Sequence, residues 1–451
     1  MIFGTDGVRD IGGKGLLSEE SVDRLGFAIA SHMGREGCAC GRVLVARDTR
    51  LTGPAIEQII TGSLHRAGCS TLHAGVLPTP AVSVLLEHGV ADLGIVISAS
   101  HNPPEFNGIK LIAADGSKLT IEQEKAISAD HSTLVGNPTP QKGIEDDPAL
   151  GSQYLELLMA SFPSGEFLQG ISLVLDCACG AGCGCAPEAF RRAGAEVSVL
   201  HGQPDGGQIN VRCGSLHPEI LGLEVVRRGA HLGIALDGDA DRALLVDEAG
   251  DLVDGDDVIV IWARALQQRG DLDPAVVVLT TLSNVGVDEY LSKNGIDVIR
   301  TPVGDRAVAE ALRESGGSLG GEPSGHIIHR GQAATGDGIR TGLSIARHIK
   351  ETGRTLSDLR PGIVRLPQEQ RNLRIMDRPD IEGLQHLRSA KEEAIEALGD
   401  DGRIEVRYSG TEPLLRILVE ARTAEVARRW AEHLESSARM ESTLGIAPRV
   451  P

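Results

Sequence analysis

The feature that most limits what this chain can fold into is a repeated alternation of short apolar segments with longer segments of helical periodicity. It recurs three times, each pass taking roughly one hundred residues. Predicted strands lie at 42–46 and 70–74 in the first pass, and at 171–175 and 196–200 in the second. Strands alternating with helices indicate crossover connections, so the pattern predicts three similar α/β domains with mixed, parallel-rich sheets.

The order of elements changes near residue 361, where a strand, a long helix, two strands and a final helix are predicted. A chain of 451 residues is too long for a single hydrophobic core. The predicted fold class is therefore α/β, with a smaller C-terminal α+β domain. The predicted domain ranges are 1–148, 149–250, 251–362 and 363–451.

Charge and composition exclude several classes of partner. The formal net charge is −19, and the chain holds only two Trp, three Tyr and six Phe. Nucleic acids and anionic membranes need basic surface, and base stacking needs aromatic side chains, so we expect neither as a partner. The apolar segments, at about eight residues, are too short to cross a bilayer, and no apolar leader is visible. We therefore expect a cytoplasmic protein.

Four of the eight cysteines form a C-x-C-x3-C-x-C cluster at Cys177, Cys179, Cys183 and Cys185. The cluster follows the predicted strand 171–175 in a turn of small residues, where a thiol serves as a compact apolar side chain. Paired zinc thiolates are usually separated by two or more residues, so this spacing favours packing over metal binding. Without an export signal, we expect all of these cysteines to be thiols.

The stretch 97–104, Ile-Ser-Ala-Ser-His-Asn-Pro-Pro, joins a predicted buried strand at 91–97 to a returning strand at 107–112 that carries Lys110. It places Ser100 on a tight polar turn at the end of a strand, where open α/β sheets present their reactive groups. Taken alone, the stretch favours a surface loop with two serines, and the three further signals below change that interpretation.

A second signal is Asp237-Gly-Asp239-Ala-Asp241-Arg242, directly after a predicted strand at 231–236. Alternate carboxylates can point to one side if the chain stays extended, and oxygen ligands of this kind favour Mg²⁺ or Ca²⁺. The spacing also matches the start of an EF-hand, but the sixth position of that loop requires Gly and holds Arg242 here. A solvated acidic loop is the remaining alternative.

A third signal, Gly320-Gly-Glu322-Pro-Ser324-Gly-His326, combines a carboxylate, a hydroxyl and an imidazole on a glycine-rich backbone. These groups suit hydrogen bonding to sugar hydroxyls, although such loops are commonly simple turns.

A fourth signal, Arg407-Tyr-Ser409-Gly410-Thr411-Glu-Pro, is followed by Arg416. Two guanidinium groups, two hydroxyls and an open glycine amide predict a phosphate-binding site. A hairpin turn with an exposed arginine is the alternative.

Taken together and in this order, the four signals resemble the α-D-phosphohexomutase superfamily, and most closely its bacterial phosphoglucosamine mutase branch. The resemblance extends from residue 1 to about 421 and includes further motifs at 3–9, 48–50, 176–177, 204–206, 303–306 and 335–338.

The resemblance implies four domains around one cleft and the interconversion of glucosamine 6-phosphate and glucosamine 1-phosphate. The glucosamine 1,6-bisphosphate would serve as intermediate and activator, and one Mg²⁺ per chain as cofactor. Small sugar phosphates are the implied partners, and a homodimer is the assembly it leaves open. The implied site residues are the nucleophile Ser100 with the catalytic residues Arg9, Lys110 and His101; the metal ligands Asp237, Asp239, Asp241 and phosphorylated Ser100; the substrate-binding residues Arg242, Glu322, Ser324 and His326; and the phosphate-binding residues Arg407, Ser409, Gly410, Thr411 and Arg416.

The chain departs from that branch at four positions. Pro323 replaces the usual Gln and Tyr408 the usual Pro, while Cys179 and Cys183 replace an Asn and an aromatic residue. A phosphomannomutase or phosphoglucomutase of the same superfamily is the first alternative function. A non-catalytic sugar-phosphate binder is the second, but a binder has no use for a metal-assembled nucleophile.

Overall fold

The computed structural model of the chain describes residues 1–4, 6–38, 41–409 and 413–446. These residues form two compact units. The first comprises Met1–Thr280 and Thr301–Pro361, and the second comprises Thr281–Arg300 and Gly362–Pro451.

The alternation of strands and helices in the sequence is present in the structure. In the described residues, the strands are β1 (Val8–Ile11), β2 (Arg42–Arg47), β3 (Ser70–Val76), β4 (Leu93–Ile97), β5 (Phe106–Ala113), β6 (Ser172–Asp176), β7 (Glu196–Leu200), β8 (Leu232–Leu236), β9 (Ala243–Val246), β10 (Leu252–Val253), β11 (Val276–Thr280), β12 (Asp297–Thr301), β13 (Leu319–Gly321), β14 (Ile327–His329), β15 (Gln368–Arg374), β16 (Gly402–Tyr408) and β17 (Leu414–Ala421). The α-helices are α1 (Glu19–Arg35), α2 (Gly53–Arg66), α3 (Thr79–Glu87), α4 (Ile121–Thr133), α5 (Pro148–Ala160), α6 (Ala186–Arg192), α7 (Pro218–Arg228), α8 (Gly255–Arg269), α9 (Val285–Lys293), α10 (Asp305–Ser315), α11 (Gly338–Thr352), α12 (Leu356–Leu359), α13 (Gln385–Leu398) and α14 (Ala424–Arg439).

The first two sheets share one topology. The first has the order β1-β5-β4-β2-β3 and the second the order β10-β9-β8-β6-β7. In each, three neighbouring strands are parallel, the fourth strand runs antiparallel to them, and the edge strand runs antiparallel to the fourth. A third sheet pairs β11 with β13 in parallel and β13 with β14 antiparallel. The predicted α/β class with mixed sheets is therefore confirmed.

The central strands explain why these sheets are stable. Every residue of β4 and of β8 is buried, as expected for continuous apolar runs covered on both faces. Burying each Ile, Leu or Val side chain of such a strand contributes about 1.5–3 kcal/mol. The strands thereby form rigid supports for the loops that follow their carboxyl ends.

The second unit contains the predicted α+β arrangement. Its three-stranded antiparallel sheet has the order β15-β17-β16. Apolar residues of α13 and α14, such as Leu387 and Leu434, are buried in one core with the sheet residue Ile417.

Two further observations concern the whole of the described chain. None of its described helices has both the length and the apolar character that a membrane crossing requires. Among the described residues, six cysteines are free thiols, as the sequence predicts: Cys38, Cys177, Cys179, Cys183, Cys185 and Cys213.

Candidate active site

Ser100 lies in a strained turn at the carboxyl end of β4. Its backbone is left-handed, with φ of 50°, and its side chain is completely buried. The turn is held by a hydrogen bond from the Ser100 N–H to Oγ of Ser98 at 2.9 Å. The Ser100 hydroxyl donates to Oδ2 of Asp237 at 2.6 Å, so the first two sequence signals meet in the structure. A strained backbone is typical of functional turns, where the surroundings hold the conformation.

Two side chains that the sequence did not assign to the site brace this turn. Arg50 Nη2 donates to the carbonyls of Ser100 and Asn102 at 2.9 and 2.7 Å. Asn210 Nδ2 donates to the same two carbonyls at 2.9 and 3.0 Å. Arg50 also forms a fully buried ion pair with Asp48, Nε to Oδ2, at 2.9 Å. Arg50 belongs to the 48–50 motif of the family resemblance, which gave it no role, whereas Asn210 belongs to none of the motifs found in the sequence.

The three aspartates follow β8 in a turn and do not stay extended, which corrects the geometry considered from the sequence. Ala240 is left-handed, with φ of 57°, and its N–H donates to the Asp237 carbonyl at 3.1 Å. This hydrogen bond closes the turn and still leaves a carboxylate oxygen from each of Asp237, Asp239 and Asp241 within 4.8 Å of the others. We refer to these three residues as the aspartate triad.

The triad suits a divalent cation. Oδ1 of Asp239 and Oδ1 of Asp241 are buried without a hydrogen-bond partner among the residues that the structure describes. Burial raises the pKa of Asp237, and the negative charges of Asp241 and Asp239 raise it further. Three converging carboxylates with unpaired oxygens are the donor set of a hard cation, which would relieve this repulsion.

Basic side chains offset part of the triad's charge. Lys110 Nζ lies 2.8 Å from Asp239 Oδ2, 3.2 Å from Asp241 Oδ2 and 3.1 Å from Asp6 Oδ2. Burial alone would lower the pKa of Lys110, but these three carboxylates hold it well above its usual value. Arg9 forms an ion pair with Asp6 and donates to the Ala99 carbonyl at 3.1 Å. Both predicted basic residues therefore lie beside the Ser100 turn.

His101 is close to the nucleophile but is held neutral. Its Nδ1 lies 3.3 Å from Oγ of Ser100. Burial, followed by the positive charges of Arg242 and Arg9, lowers the pKa of His101 to about 3.

The predicted sugar-binding loop reaches the triad through His326. Its Nδ1 lies 3.6 Å from Oδ1 of Asp241, and burial alone would lower its pKa, but Asp241 and Asp305 raise it. Glu322 is oriented by the N–H of Gly304, which donates to Oε1 at 3.1 Å. Ser324 Oγ lies 3.5 Å from Oε2 of the same carboxylate, so Glu322 and Ser324 form one polar surface.

Arg242 lies between this loop and the triad. The N–H of Arg242 donates to Oδ1 of Asp237 at 3.2 Å, and its Nε lies 3.7 Å from Oδ1 of Asp241. Burial alone would lower the pKa of Arg242, but Asp241, Asp237 and Glu322 raise it.

Pro323 cannot donate a backbone hydrogen bond, but its carbonyl accepts one from the Gly255 N–H at 3.1 Å.

The predicted phosphate-binding residues belong to the second unit. Arg407 on β16 is the register partner of Arg416 on β17, so both guanidinium groups start from the same position of the hairpin. Ser409 follows β16, and its N–H donates to the Leu414 carbonyl at 2.8 Å. Gly410 and Thr411 lie outside the described residues. Tyr408 donates its hydroxyl to the Pro379 carbonyl at 2.7 Å.

Comparison with known families extends over nearly the whole chain. The chain matches four domain families of phosphoglucomutase/phosphomannomutase: alpha/beta/alpha domain I over residues 1–134, domain II over 153–250, domain III over 254–365 and the C-terminal domain over 371–437.

Individual relatives agree with this match. The phosphoglucosamine mutase of Parafrankia sp. (strain EAN1pec) is 42% identical over 453 residues, which covers 95% of this chain and 96% of the relative. The phosphoglucosamine mutase of Moorella thermoacetica is 44% identical over 424 residues, covering 93% and 95%.

Solved structures show the same fold. A phosphoglucomutase/phosphomannomutase family protein from Burkholderia thailandensis superposes with a TM-score of 0.79 at 23% identity, covering 98% of this chain and 97% of the other. The N-acetylphosphoglucosamine mutase of Aspergillus fumigatus, in complex with GlcNAc-6P and magnesium, gives a TM-score of 0.62 at 18% identity and covers 98% and 96%. With four matched domains and relatives above 40% identity, this chain belongs to the phosphoglucomutase/phosphomannomutase family.

Proposed function

We propose that the protein is a phosphoglucosamine mutase, an isomerase that interconverts glucosamine 6-phosphate and glucosamine 1-phosphate. The proposal rests on the position of the Ser100 hydroxyl, which lies 2.6 Å from Oδ2 of Asp237, a member of the aspartate triad. A hydroxyl nucleophile beside a hard-cation site is what phosphoryl transfer requires. Relatives at 42–44% identity over most of the chain carry that name.

The proposed reaction is two balanced phosphoryl transfers. In the first, a sugar hydroxyl oxygen attacks the phosphorus on Ser100, the bond from phosphorus to Oγ breaks, and the proton lost by the sugar hydroxyl is taken up by Oγ. The 1,6-bisphosphate then turns over and returns its other phosphoryl group to Oγ. The sugar oxygen released in this step takes up the proton that the Ser100 hydroxyl loses, so the net change is an isomerisation. A non-catalytic sugar-phosphate binder would not need the Ser100 contact.

The chain's own residues supply charge and position. We assign the triad as the site of Mg²⁺, which when bound would stabilise negative charge on phosphoryl oxygens. Lys110 and Arg9, held beside Ser100 by Asp6, would offset the charge of the phosphoserine. His101, with a pKa lowered to about 3, is a weak base and serves as a hydrogen-bond partner of Ser100.

Glu322 supports an amino-sugar substrate. Its carboxylate, oriented by Gly304, can pair with an ammonium group, and the hydroxyl of Ser324 beside it can bond to a sugar hydroxyl. We assign Arg407, Ser409 and Arg416 to the phosphate that is not being transferred. The cytoplasmic location and the homodimer stay predictions.

The test is a substrate panel on the Mg²⁺-loaded protein with a trace of the matching bisphosphate. We expect the highest kcat/KM with glucosamine phosphates, and a clear preference for mannose or glucose phosphates would instead favour the phosphomannomutase or phosphoglucomutase alternative.

A Ser100→Ala variant should lose at least about 10⁴-fold in turnover while still binding glucosamine 6-phosphate, because the phosphoryl carrier is removed. Ser132→Ala, at an exposed position of α4, is the matched control and should be fully active. Undiminished turnover in Ser100→Ala would remove Ser100 from the mechanism, and turnover lost together with binding would point to a structural role.

A further inference from the structure

A second group of metal-ligating side chains lies in the sheet that carries the triad, at the ends of neighbouring strands. Asp176 is the last residue of β6, His201 directly follows β7, and Cys213 precedes the turn that leads into α7. One ligand atom from each of these three residues lies within 4.8 Å of the other two. None of the three belongs to the site described above.

The carboxylate of Asp176 is fixed by the backbone. Asp176 is fully buried, with Oδ1 accepting from the Ala178 N–H at 2.9 Å and Oδ2 from the Gly214 N–H at 3.0 Å. Nδ1 of His201 lies 3.1 Å from Oδ2 of Asp176, yet this buried nitrogen makes no hydrogen bond within the described structure. The two atoms are therefore close together but are not oriented for a hydrogen bond. Two ligands of one cation have the same arrangement.

Two thiols complete the group. Cys213 is one of the three converging ligands, and the Cys179 thiol lies close enough to Cys213 for each thiol to shift the pKa of the other. Cys213 is buried among protein atoms, whereas Cys179 and His201 line a surface cavity of about 600 Å³. An ion in this cavity would therefore meet Cys179 and His201 first.

We propose that Asp176, Cys179, His201 and Cys213, here named the thiol centre, bind a divalent cation of the Zn²⁺ class. Two sulfur donors, one imidazole and one carboxylate are a soft, four-coordinate set that suits Zn²⁺ and not Mg²⁺. Tetrahedral ligands at zinc bond lengths lie about 3.3–3.8 Å apart. The ligand atoms of Asp176, His201 and Cys213 lie within 4.8 Å of one another, so these side chains would adjust to those separations on binding. The C-x-C-x3-C-x-C spacing conceals this site, because only Cys179 of that motif takes part.

The thiol centre would support the triad through the backbone. Just beyond Cys179, the Ala181 N–H donates to the Gly238 carbonyl inside the triad's turn at 2.8 Å. A Cβ at Gly180 would lie 2.3 Å from that carbonyl, so the two turns are in direct contact. An ion at the thiol centre is therefore a structural ion that fixes one wall of the triad's turn, and binding should raise thermal stability.

Co²⁺ added to the chelator-treated, full-length protein in excess Mg²⁺ tests the proposal, because Mg²⁺ keeps the triad filled. We expect one equivalent of Co²⁺ to bind with a thiolate-to-cobalt charge-transfer band that Zn²⁺ abolishes. We also expect Zn²⁺ to raise the thermal midpoint and to release protons from the two thiols. Absence of the band, with no Zn²⁺-dependent thermal shift, would overturn the proposal.

Two variants locate the ion. Cys179→Asn and His201→Asn replace residues with φ of 54° and 45°, a left-handed conformation that Asn tolerates well. Since even outer-shell partners are worth about 10–100-fold in metal affinity, losing a direct ligand should weaken Co²⁺ binding at least about 100-fold. The control Cys38→Ser, at a partly buried thiol outside the group, should bind as the parent does. An unchanged band and affinity in His201→Asn would place the ion elsewhere and refute the assignment.

Discussion

The aspartate triad and the thiol centre occupy the ends of neighbouring strands, β8 and β6, yet they differ in donors and in the way charge is balanced. The triad holds three carboxylates beside Lys110 and Arg242, whereas the thiol centre holds one carboxylate with an imidazole and two thiols. One sheet edge thus provides a hard site and a soft site. The difference shows that the residues after each strand, and not the shared topology, determine which cation suits a position.

The two centres also show what burial does to ionisation when countercharges are present or absent. At the triad, burial alone would raise the pKa of Asp241, but Lys110 and His326 hold it well below its usual range. At the thiol centre, burial raises the pKa of Cys179 to about 11 and that of Cys213 to about 12. The thiols are therefore neutral until a cation displaces their protons.

The largest expected effect is the loss of mutase activity in Asp239→Asn, which removes one negatively charged ligand from the triad. Mutase kcat/KM should fall by at least about 10³-fold, because a bound cation supplies several kcal/mol of charge stabilisation. Co²⁺ binding at the thiol centre should not change. Steady-state kinetics and the charge-transfer titration together measure how independent the two centres are.

Asp251→Asn is the control for that variant, since Asp251 is an exposed aspartate in the turn before β10 of the same sheet. It should leave both measurements unchanged. Loss of the cobalt band in Asp239→Asn would contradict the claim that the two centres are separate, because it would mean that one ion uses ligands of both.

For Arg50→Ala, which removes the brace of the Ser100 turn, the expected effect is on the free energy of unfolding. The substitution leaves Asp48 buried without its countercharge and deprives the Ser100 and Asn102 carbonyls of a donor. Breaking a buried ion pair in this way costs about 3–5 kcal/mol, measurable as a fall in the urea midpoint.

Arg192→Ala is the matched control, because it breaks an exposed helical ion pair with Glu188, worth about 0.5 kcal/mol. Equal losses in the two variants would contradict the role given to Arg50. If the turn depends on this brace, Ser100 phosphorylation should also fall while Co²⁺ binding at the thiol centre persists.

The smallest effect is a change in the pH dependence of stability in His329→Gln. This variant tests how far burial lowers the pKa of a histidine that has no ion-pair partner. Burial lowers the pKa of His329 to about 4, and the ring stacks on Trp262 with centroids 5.3 Å apart. As pH falls from about 6.5 to 4, the unfolded chain binds a proton that the folded chain does not, so stability is lost over that window and is unaffected above it.

At pH 5 the wild type should therefore have lost about 1–2 kcal/mol relative to pH 7.5 from this residue. The His329→Gln variant should lose less over the same interval, as measured by the change in urea unfolding free energy. An identical pH dependence in both proteins would show that His329 is not titrating in this way, and that burial does not hold it neutral.

Local sequence was a good guide wherever the relevant residues are close in the chain. The apolar runs of β4 and β8, the Ser100 turn and the three aspartates could all be found because each is set by contiguous residues. The turn geometry of the aspartates could not, since Ala240 adopts a left-handed conformation that its sequence does not signal. Asn210 also escaped prediction, because its contact with Ser100 spans 110 positions.

The sequence by itself determined the α/β class, the order of the elements and the two loops whose Ser100 and Asp237 side chains meet. Only the tertiary structure decided which carbonyls Arg50 braces, which histidine has a raised pKa and which thiols lie near Asp176 and His201. The physical reason is that periodicity and turn chemistry act over a few residues, whereas burial, countercharge and ligand convergence depend on segments that meet only after folding.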